Sequence, residues 1–176
     1  AIAQVLPTGF LPIAGGVSMT QSGAVMSINQ PLARGIASWQ SFSIGAGGVV
    51  NIVQPSASSV LLNRVTGNVP SSINGVVSGT GSVYLVNPSG VVVGPTGVVK
   101  TGGSFVASTL DVKDADFRAG GALTFSGNSN AAVVNLGKIG SSQGDVVLIA
   151  RQVRNDGSLS ARNGTAAMAS GSEVVL

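Results

Sequence analysis

The sequence predicts an all-β chain wound into a solenoid, a stack of coils each built from a few very short strands. Three observations predict it. Gly is unusually common (26 of 176 residues) and charged residues make up only 9%. Val, Ile, Thr and Ser dominate, and long Ala/Leu/Glu/Lys stretches are missing. Short alternating runs bounded by Gly or Asn recur, at residues 49–53, 83–86, 91–93 and 146–149.

The repeat itself sets the coil. Gly75, Val77, Gly81, Val83 and Leu85 match Gly97, Val99, Gly103, Phe105 and Ala107 at an offset of 22. Residues 135–148 match 155–168 at an offset of 20. A period near 20 residues with two or three tiny strands is one solenoid coil, stacked at about 4.8 Å on the next. Alternation then points Val77, Val83, Leu85, Val99, Phe105, Ile139, Val146, Leu148 and Leu159 inward. Gly and Asn are expected at the corners, in conformations with positive φ. A β-sandwich is the competing fold, and it would show longer strands without a regular offset.

Residues 1–45 carry no clear coil and hold Pro7, Pro12, Pro31 and Trp39. They are expected to cap the first coil, whose open strand edges need covering. Residues 46–176 are expected to be coils, with an excursion near 108–132, all in one domain.

Composition excludes much chemistry. With neither His nor Cys, the chain has no Ser-His-Asp triad, no Cys-His pair, no His/Cys zinc site and no disulfide. No cofactor is expected, and no metal. The net charge is +3, but only Arg34 and Arg64 are charged before Lys100. Such thin charge makes no basic stripe, so nucleic acid is not an expected partner. No apolar run approaches the length of a membrane-spanning helix. Ala1-Ile2-Ala3 has the small-x-small form left by signal-peptide cleavage, or is an arbitrary start. The lack of Cys fits export into an oxidising compartment.

Four candidate sites stand out. Asp111, Asp114 and Asp116 form the acidic cluster, readable as a calcium or polysaccharide-cleaving centre but more simply as a solvated turn. Asn87-Pro88-Ser89-Gly90 reads as a tight turn: Pro fits its second position, Asn caps it and Gly takes an unusual dihedral. Asn63-Arg64-Val65-Thr66-Gly67 places an Arg in neutral surroundings, to bond corner carbonyls or to meet a partner. Asn163-Gly164-Thr165 fits a glycosylation sequon, a cheap match at a coil corner. A Thr-x-Thr ladder of the ice-binding kind is missing.

Four longer words resemble one family in its order: 36–45 (Ile-Ala-Ser-Trp-Gln-Ser-Phe-Ser-Ile-Gly), 59–67 (Ser-Val-Leu-Leu-Asn-Arg-Val-Thr-Gly), 83–91 (Val-Tyr-Leu-Val-Asn-Pro-Ser-Gly-Val) and 105–111 (Phe-Val-Ala-Ser-Thr-Leu-Asp). They resemble the N-terminal secretion domain of filamentous-haemagglutinin-type exoproteins, in the high-molecular-weight-adhesin branch. The resemblance covers roughly residues 20–176. The family's usual Asn-Pro-Asn-Gly-Ile stands here as Asn87-Pro88-Ser89-Gly90-Val91. The separate Asn-Pro-Asn-Leu word of the haemagglutinin branch is missing, and Asn63-Arg64-Val65-Thr66 occupies that region, as in the adhesin branch.

The resemblance implies a right-handed parallel β-helix with an N-terminal cap and extra-helical strands. It implies export to the periplasm and recognition there by an outer-membrane two-partner-secretion transporter with POTRA domains. It also implies a secreted or surface protein of a Gram-negative bacterium, longer than this stretch, whose host-surface ligand is bound further along. The eight residues of the words at 63–66 and 87–90 are the expected recognition or structural motif. The alternative is a carbohydrate-active β-helix, a lyase or hydrolase working through paired acids.

Overall fold

The computed structural model describes residues 5–176, so the small-x-small start Ala1–Ala3 lies outside the described residues. Short strands follow one another around three sides of a stack. The longest side runs β1 (Leu11–Ala14), β4 (Arg34–Trp39), β6 (Val60–Val65), β9 (Ser82–Val86), β12 (Phe105–Ser108), β16 (Val146–Ala150) and β19 (Ala166–Ser170). A second seven-stranded side runs β2 (Ser18–Ser22), β3 (Val25–Asn29), β5 (Val49–Val53), β8 (Val76–Gly79), β11 (Val98–Thr101), β15 (Lys138–Ser141) and β18 (Ser158–Ala161). The third side has four strands: β7 (Ser71–Ile73), β10 (Val91–Val93), β14 (Ala132–Asn135) and β17 (Gln152–Asn155). This is the parallel solenoid that the repeat predicts.

Register confirms the offsets residue by residue. Val77 pairs with Val99 and Val83 with Phe105, 22 residues on. Ile139 pairs with Leu159 and Leu148 with Met168, 20 residues on. Earlier coils are longer: Val25 meets Val49, 24 on, Arg34 meets Val60, 26 on, and Val49 meets Val76, 27 on. Corner loops of unequal length blur the repeat there without disturbing the strand stacking.

Eight of the nine residues assigned to the core are buried, in a continuous interior that includes Leu61, Val83, Phe105 and Val146 in one vertical row. Leu159 is only half-buried, because among the described residues β18 is an edge strand of its side. Antiparallel strands cover the other end, β1 against β4 and β2 against β3. Parallel pairing already begins with β3 and β4, ahead of residue 46. Trp39 closes this end from within, buried against Phe10 and Phe42 at 5.1 and 5.4 Å between rings.

Two expectations need correction. Positive φ is adopted by some corner glycines, Gly47 and Gly90 among them, but it is not what most coil corners require. Among the described residues no non-glycine has it, and Gly75, Gly81, Gly97, Gly103, Gly137 and Gly144 do not have it either. These glycines answer a packing constraint. A Cβ on Gly103 would collide with the Ala57 carbonyl oxygen and the Ser82 hydroxyl, because adjoining coils bring backbone against backbone at the corner. Inner strands of the long side, moreover, do not alternate between core and solvent. Every residue of β12 and β16 is buried. The outer face of this sheet carries Ile36, Leu62, Val86, Val106, Val147 and Ile149, and it is covered by residues of the excursion.

The excursion leaves after β12. It contains the helix α1 (Asp114–Ala119) and the strand β13 (Thr124–Ser126), which pairs antiparallel with β20 (Glu173–Val175). Leu110, Val112, Phe117, Leu123 and Phe125 bury themselves on the sheet's outer face. Tyr84 sits under this cover, 6.1 Å from the Phe117 ring and 6.4 Å from Phe125.

Two measurements check this packing. Gly103→Ala is expected to cost about 1–3 kcal/mol by overpacking, read by chemical denaturation. Gly140→Ala, whose Cβ would meet nothing nearer than the Ser160 oxygen at 3.9 Å, should not destabilise. Tyr84 is the single tyrosine, and burial pushes its phenol above the ordinary value, with Arg34 opposing and Asp145 adding to the shift. The unfolded chain therefore loses this proton first, so stability should fall as pH rises above about 10. Ultraviolet titration reads the ionisation directly, and Tyr84→Phe should remove that part of the fall.

Candidate recognition and anchoring site

Asn63 and Val65 point inward from β6. Asn63 is fully buried, a polar residue in an apolar row between Ala37 and Leu85. Its burial is compensated: Oδ1 accepts a hydrogen bond from the Trp39 indole at 3.0 Å, and Nδ2 donates to the Tyr84 carbonyl at 3.3 Å. Val65 packs in the same interior. Thr66 ends the strand by bonding the Trp39 carbonyl through both its backbone N–H (2.8 Å) and its hydroxyl (3.1 Å). This word therefore holds the aromatic plug of the capped end.

Arg64 points the other way, onto the outer face. Its Nε donates to Asp111 Oδ1 at 3.0 Å, and one terminal nitrogen donates to the Val112 carbonyl at 2.7 Å. The other lies 2.6 Å from an Asp114 carboxylate oxygen. Burial lowers the guanidinium pKa, but Asp114 and Asp111 outweigh it and leave the group above its ordinary value. Of the two readings for Arg64, the folded domain shows carbonyl and carboxylate bonding within the chain.

The acidic cluster is not a free turn. Asp111 and Asp114 face Arg64, and Asp114 and Asp116 stand in the first turn of α1. With Glu173 they line a cleft of about 640 Å³ on the outside of the stack. Among the described residues no three acidic side chains are placed to hold a metal ion.

Asn87 ends β9's side of the coil and is also fully buried. Its Oδ1 accepts from the Ser89 N–H at 2.9 Å, and its Nδ2 donates to the Val69 carbonyl and the Ser71 hydroxyl, each at 3.0 Å. The Gly90 N–H closes the turn on the Asn87 carbonyl at 3.0 Å. Gly90 has φ 118°, the unusual dihedral its sequence position predicts. Pro88 is exposed and Ser89 half-exposed at the tip.

The two words meet on one structural task that the sequence alone did not reveal: they grip the two ends of the excursion. The Asn87 N–H bonds the Ser108 carbonyl where the chain leaves the stack. The Pro88 carbonyl accepts from the Ser129 hydroxyl where it returns, and Gly90 lies against Ala131 and Ala132. Arg64 clasps the first residues after the exit. Ser108, Ser129 and Arg34 are partners that sequence reasoning missed. Arg34 donates to the Phe117 carbonyl at 3.3 Å and lies 6.0 Å from its ring. Its one legible signal was charge, since it and Arg64 are the two charged residues before Lys100.

Comparison with known proteins agrees with this architecture. The family model described as "TPS secretion domain" matches residues 3–175. The crystal structure of the HMW1 secretion domain from Haemophilus influenzae superposes with a TM-score of 0.89 at 30% identity, covering 96% of this chain and 46% of that one. The filamentous hemagglutinin secretion domain shares the fold, with a TM-score of 0.58 at 17% identity over 83% of this chain and 58% of that one. A heme/hemopexin-binding protein of Haemophilus influenzae is 37% identical over 113 residues, which make up 64% of this chain and 12% of that protein. A second protein of that description, also from Haemophilus influenzae, is 35% identical over 88 residues, 50% of this chain and 9% of its own length. The chain thus spans a small part of these relatives. A capped parallel solenoid of this shape, matched from end to end by the family model, belongs to the TPS secretion domains, the secretion-signal domains of two-partner-secretion exoproteins.

Proposed function

We propose that this stretch is recognised in the periplasm by the POTRA domains of a dedicated outer-membrane transporter and then nucleates folding of a longer exoprotein outside the cell. The observation that carries the reading is the polarity of the stack. One end is closed by β1, β2 and Trp39. At the other, β17, β18 and β19 are the edge strands of all three sides, with Val153, Leu159 and Ala161 only partly buried. An open edge of this kind templates further coils. Each added coil pairs backbone and buries apolar side chains, which draws chain outward without a nucleotide. Starting such a stack is slow, since non-local pairing costs loop closure first. A preformed capped end removes that cost for every coil added to it.

The near-absence of charge before Lys100 suits passage through a pore, because few ions must be desolvated. The role requires no catalytic group. We assign the whole protein's ligand binding, including any resembling that of its heme/hemopexin-binding relatives, to regions beyond this stretch.

For residues 63–66 and 87–90 we favour holding corners over touching the transporter. The buried, hydrogen-bonded side chains of Asn63 and Asn87 support this. Asn87→Ala should cost about 1–3 kcal/mol, the penalty for stranding the Val69 carbonyl, the Ser71 hydroxyl and the Ser89 N–H. Export and the stability of purified protein are to be measured together in Asn87→Ala and Gly90→Ala. Loss of both is expected. Blocked export of a normally stable variant would mean direct recognition, and normal export of a normally stable one would discard both roles.

A further inference from the structure

We propose that residues 109–127 are a latch that opens and closes over the outer face of the long sheet independently of the coils, with Arg64 as its catch. The face beneath it is a double row of outward side chains on consecutive rungs. One row is Ile36, Leu62, Tyr84, Val106 and Val147, and the other includes Arg64, Val86 and Ile149. The latch holds this face chiefly through side chains. Its backbone bonds to the sheet are confined to the entry, where the Thr109 N–H meets the Ile149 carbonyl, the Ser108 hydroxyl meets both the N–H and the carbonyl of Leu110, and Arg64 meets the Val112 carbonyl, and to Arg34 on the Phe117 carbonyl. The helix α1 is six residues long and has no side-chain hydrogen bond at its N-cap. β13 pairs with β20, a pairing that Leu123 with Leu176 and the Gly127 N–H on the Ser172 carbonyl extend, and, through one bridge, with Asp111 of the latch itself, and with no strand of the sheet it covers. A segment tied this sparsely to the sheet beneath it opens at lower free energy than strands paired on both edges.

The latch also joins parts of the chain made at different times. It lies on β4, β6, β9 and β12, which precede it, and on Val147, Ile149 and Val174, which come after it. It cannot close fully until residues 146–175 are in place. Along a chain emerging from its N-terminal end, the early coils keep a bare apolar outer face until the later ones have stacked, and closure marks that completion.

Hydrogen exchange on the full chain tests this, comparing the amides of Phe117 and Ser126 with those of Val77, Val99 and Ile139 in the uncovered side. In the wild type the latch amides should exchange first. Arg64→Ala should speed them by at least about tenfold, equivalent to ~1.4 kcal/mol, and change the coil amides by less than about twofold. Asp114→Asn, which leaves Arg64 in place, should act in the same direction more weakly and serves if Arg64→Ala does not fold. Val174→Asp, at the far side of the latch, should speed the same amides. Equal exchange of latch and coil amides in the wild type would overturn the proposal. So would a uniform acceleration in Arg64→Ala or, if it does not fold, in Asp114→Asn. An unaltered latch in Val174→Asp would overturn its dependence on the later coils.

Discussion

Vertical register is the constraint on which the molecule depends. Every strand of a coil must lie over its counterpart one rung away, so that each backbone N–H finds a carbonyl above or below. Once Val83 lies on Phe105, and Phe105 on Val146, the corners have no freedom left. They must bring backbone so close that a Cβ at Gly81, Gly97 or Gly103 has no room. The same register fixes where buried polar groups sit. Gln54 bonds Gln30 on one neighbouring coil and the Gly81 N–H and Ser82 carbonyl on the other, and Asn135 donates to Asn155 directly across a rung. Such side chains are tolerated inside a narrow interior because the repeat supplies each with a partner at a set height.

Register explains the stack but not the latch, which answers a different demand. A sheet buried on one face is satisfied by the solenoid interior. The long side is apolar on both, so it needs a second cover, and the chain supplies one by interrupting its own repeat. Between β11 and β15 the offset grows to 40, from Val98 to Lys138, yet the rungs stay in register as if nothing had intervened. The interruption is possible because the coil is held at both points of departure, by Ser108 bonded to Asn87 and by Ser129 bonded to Pro88. The two family words are therefore positioned where a repeat structure is weakest, at the edges of an insertion.

Much of this was legible in the sequence. The repeat read from Gly75 to Leu85 and from Asn135 to Leu148 gave the strand pairing and most of the core. The features that were missed were missed for physical reasons. Residues such as Val146-Val147-Leu148-Ile149-Ala150 and Val83-Tyr84-Leu85-Val86 are unbroken apolar runs. In a parallel sheet such runs signal burial on both faces. Reading them as alternating strands hid the covered outer face. The early coils were obscured by their corner loops, since 24, 26 and 27 residues separate paired positions where later coils need 20 or 22. The partners of Arg64 lie 47 and 50 residues away in sequence, a separation that no local pattern encodes.

The distribution of charge reflects the same architecture. Before Lys100 the chain puts its polar surface into Ser, Thr, Asn and Gln, and commits its two cations, Arg34 and Arg64, to the latch. An Arg suits that task better than a Lys. Its planar fork reaches two carboxylates and a carbonyl at once, as Arg64 does, and it stays charged while half-buried. The acids that answer Arg64 come only after position 108. Until they arrive, Arg64 stands on the open outer face of β6 with water for a partner, a state a guanidinium accepts at small cost. Once they arrive, the same group tethers the start of the latch, and closure waits for Val147, Ile149 and Val174. Placing the cation early, its carboxylates after β12 and the last apolar partners of the cover in β16 and β20 lets the coils assemble first and the cover close over them afterwards, which is the order that a chain folding from one end requires.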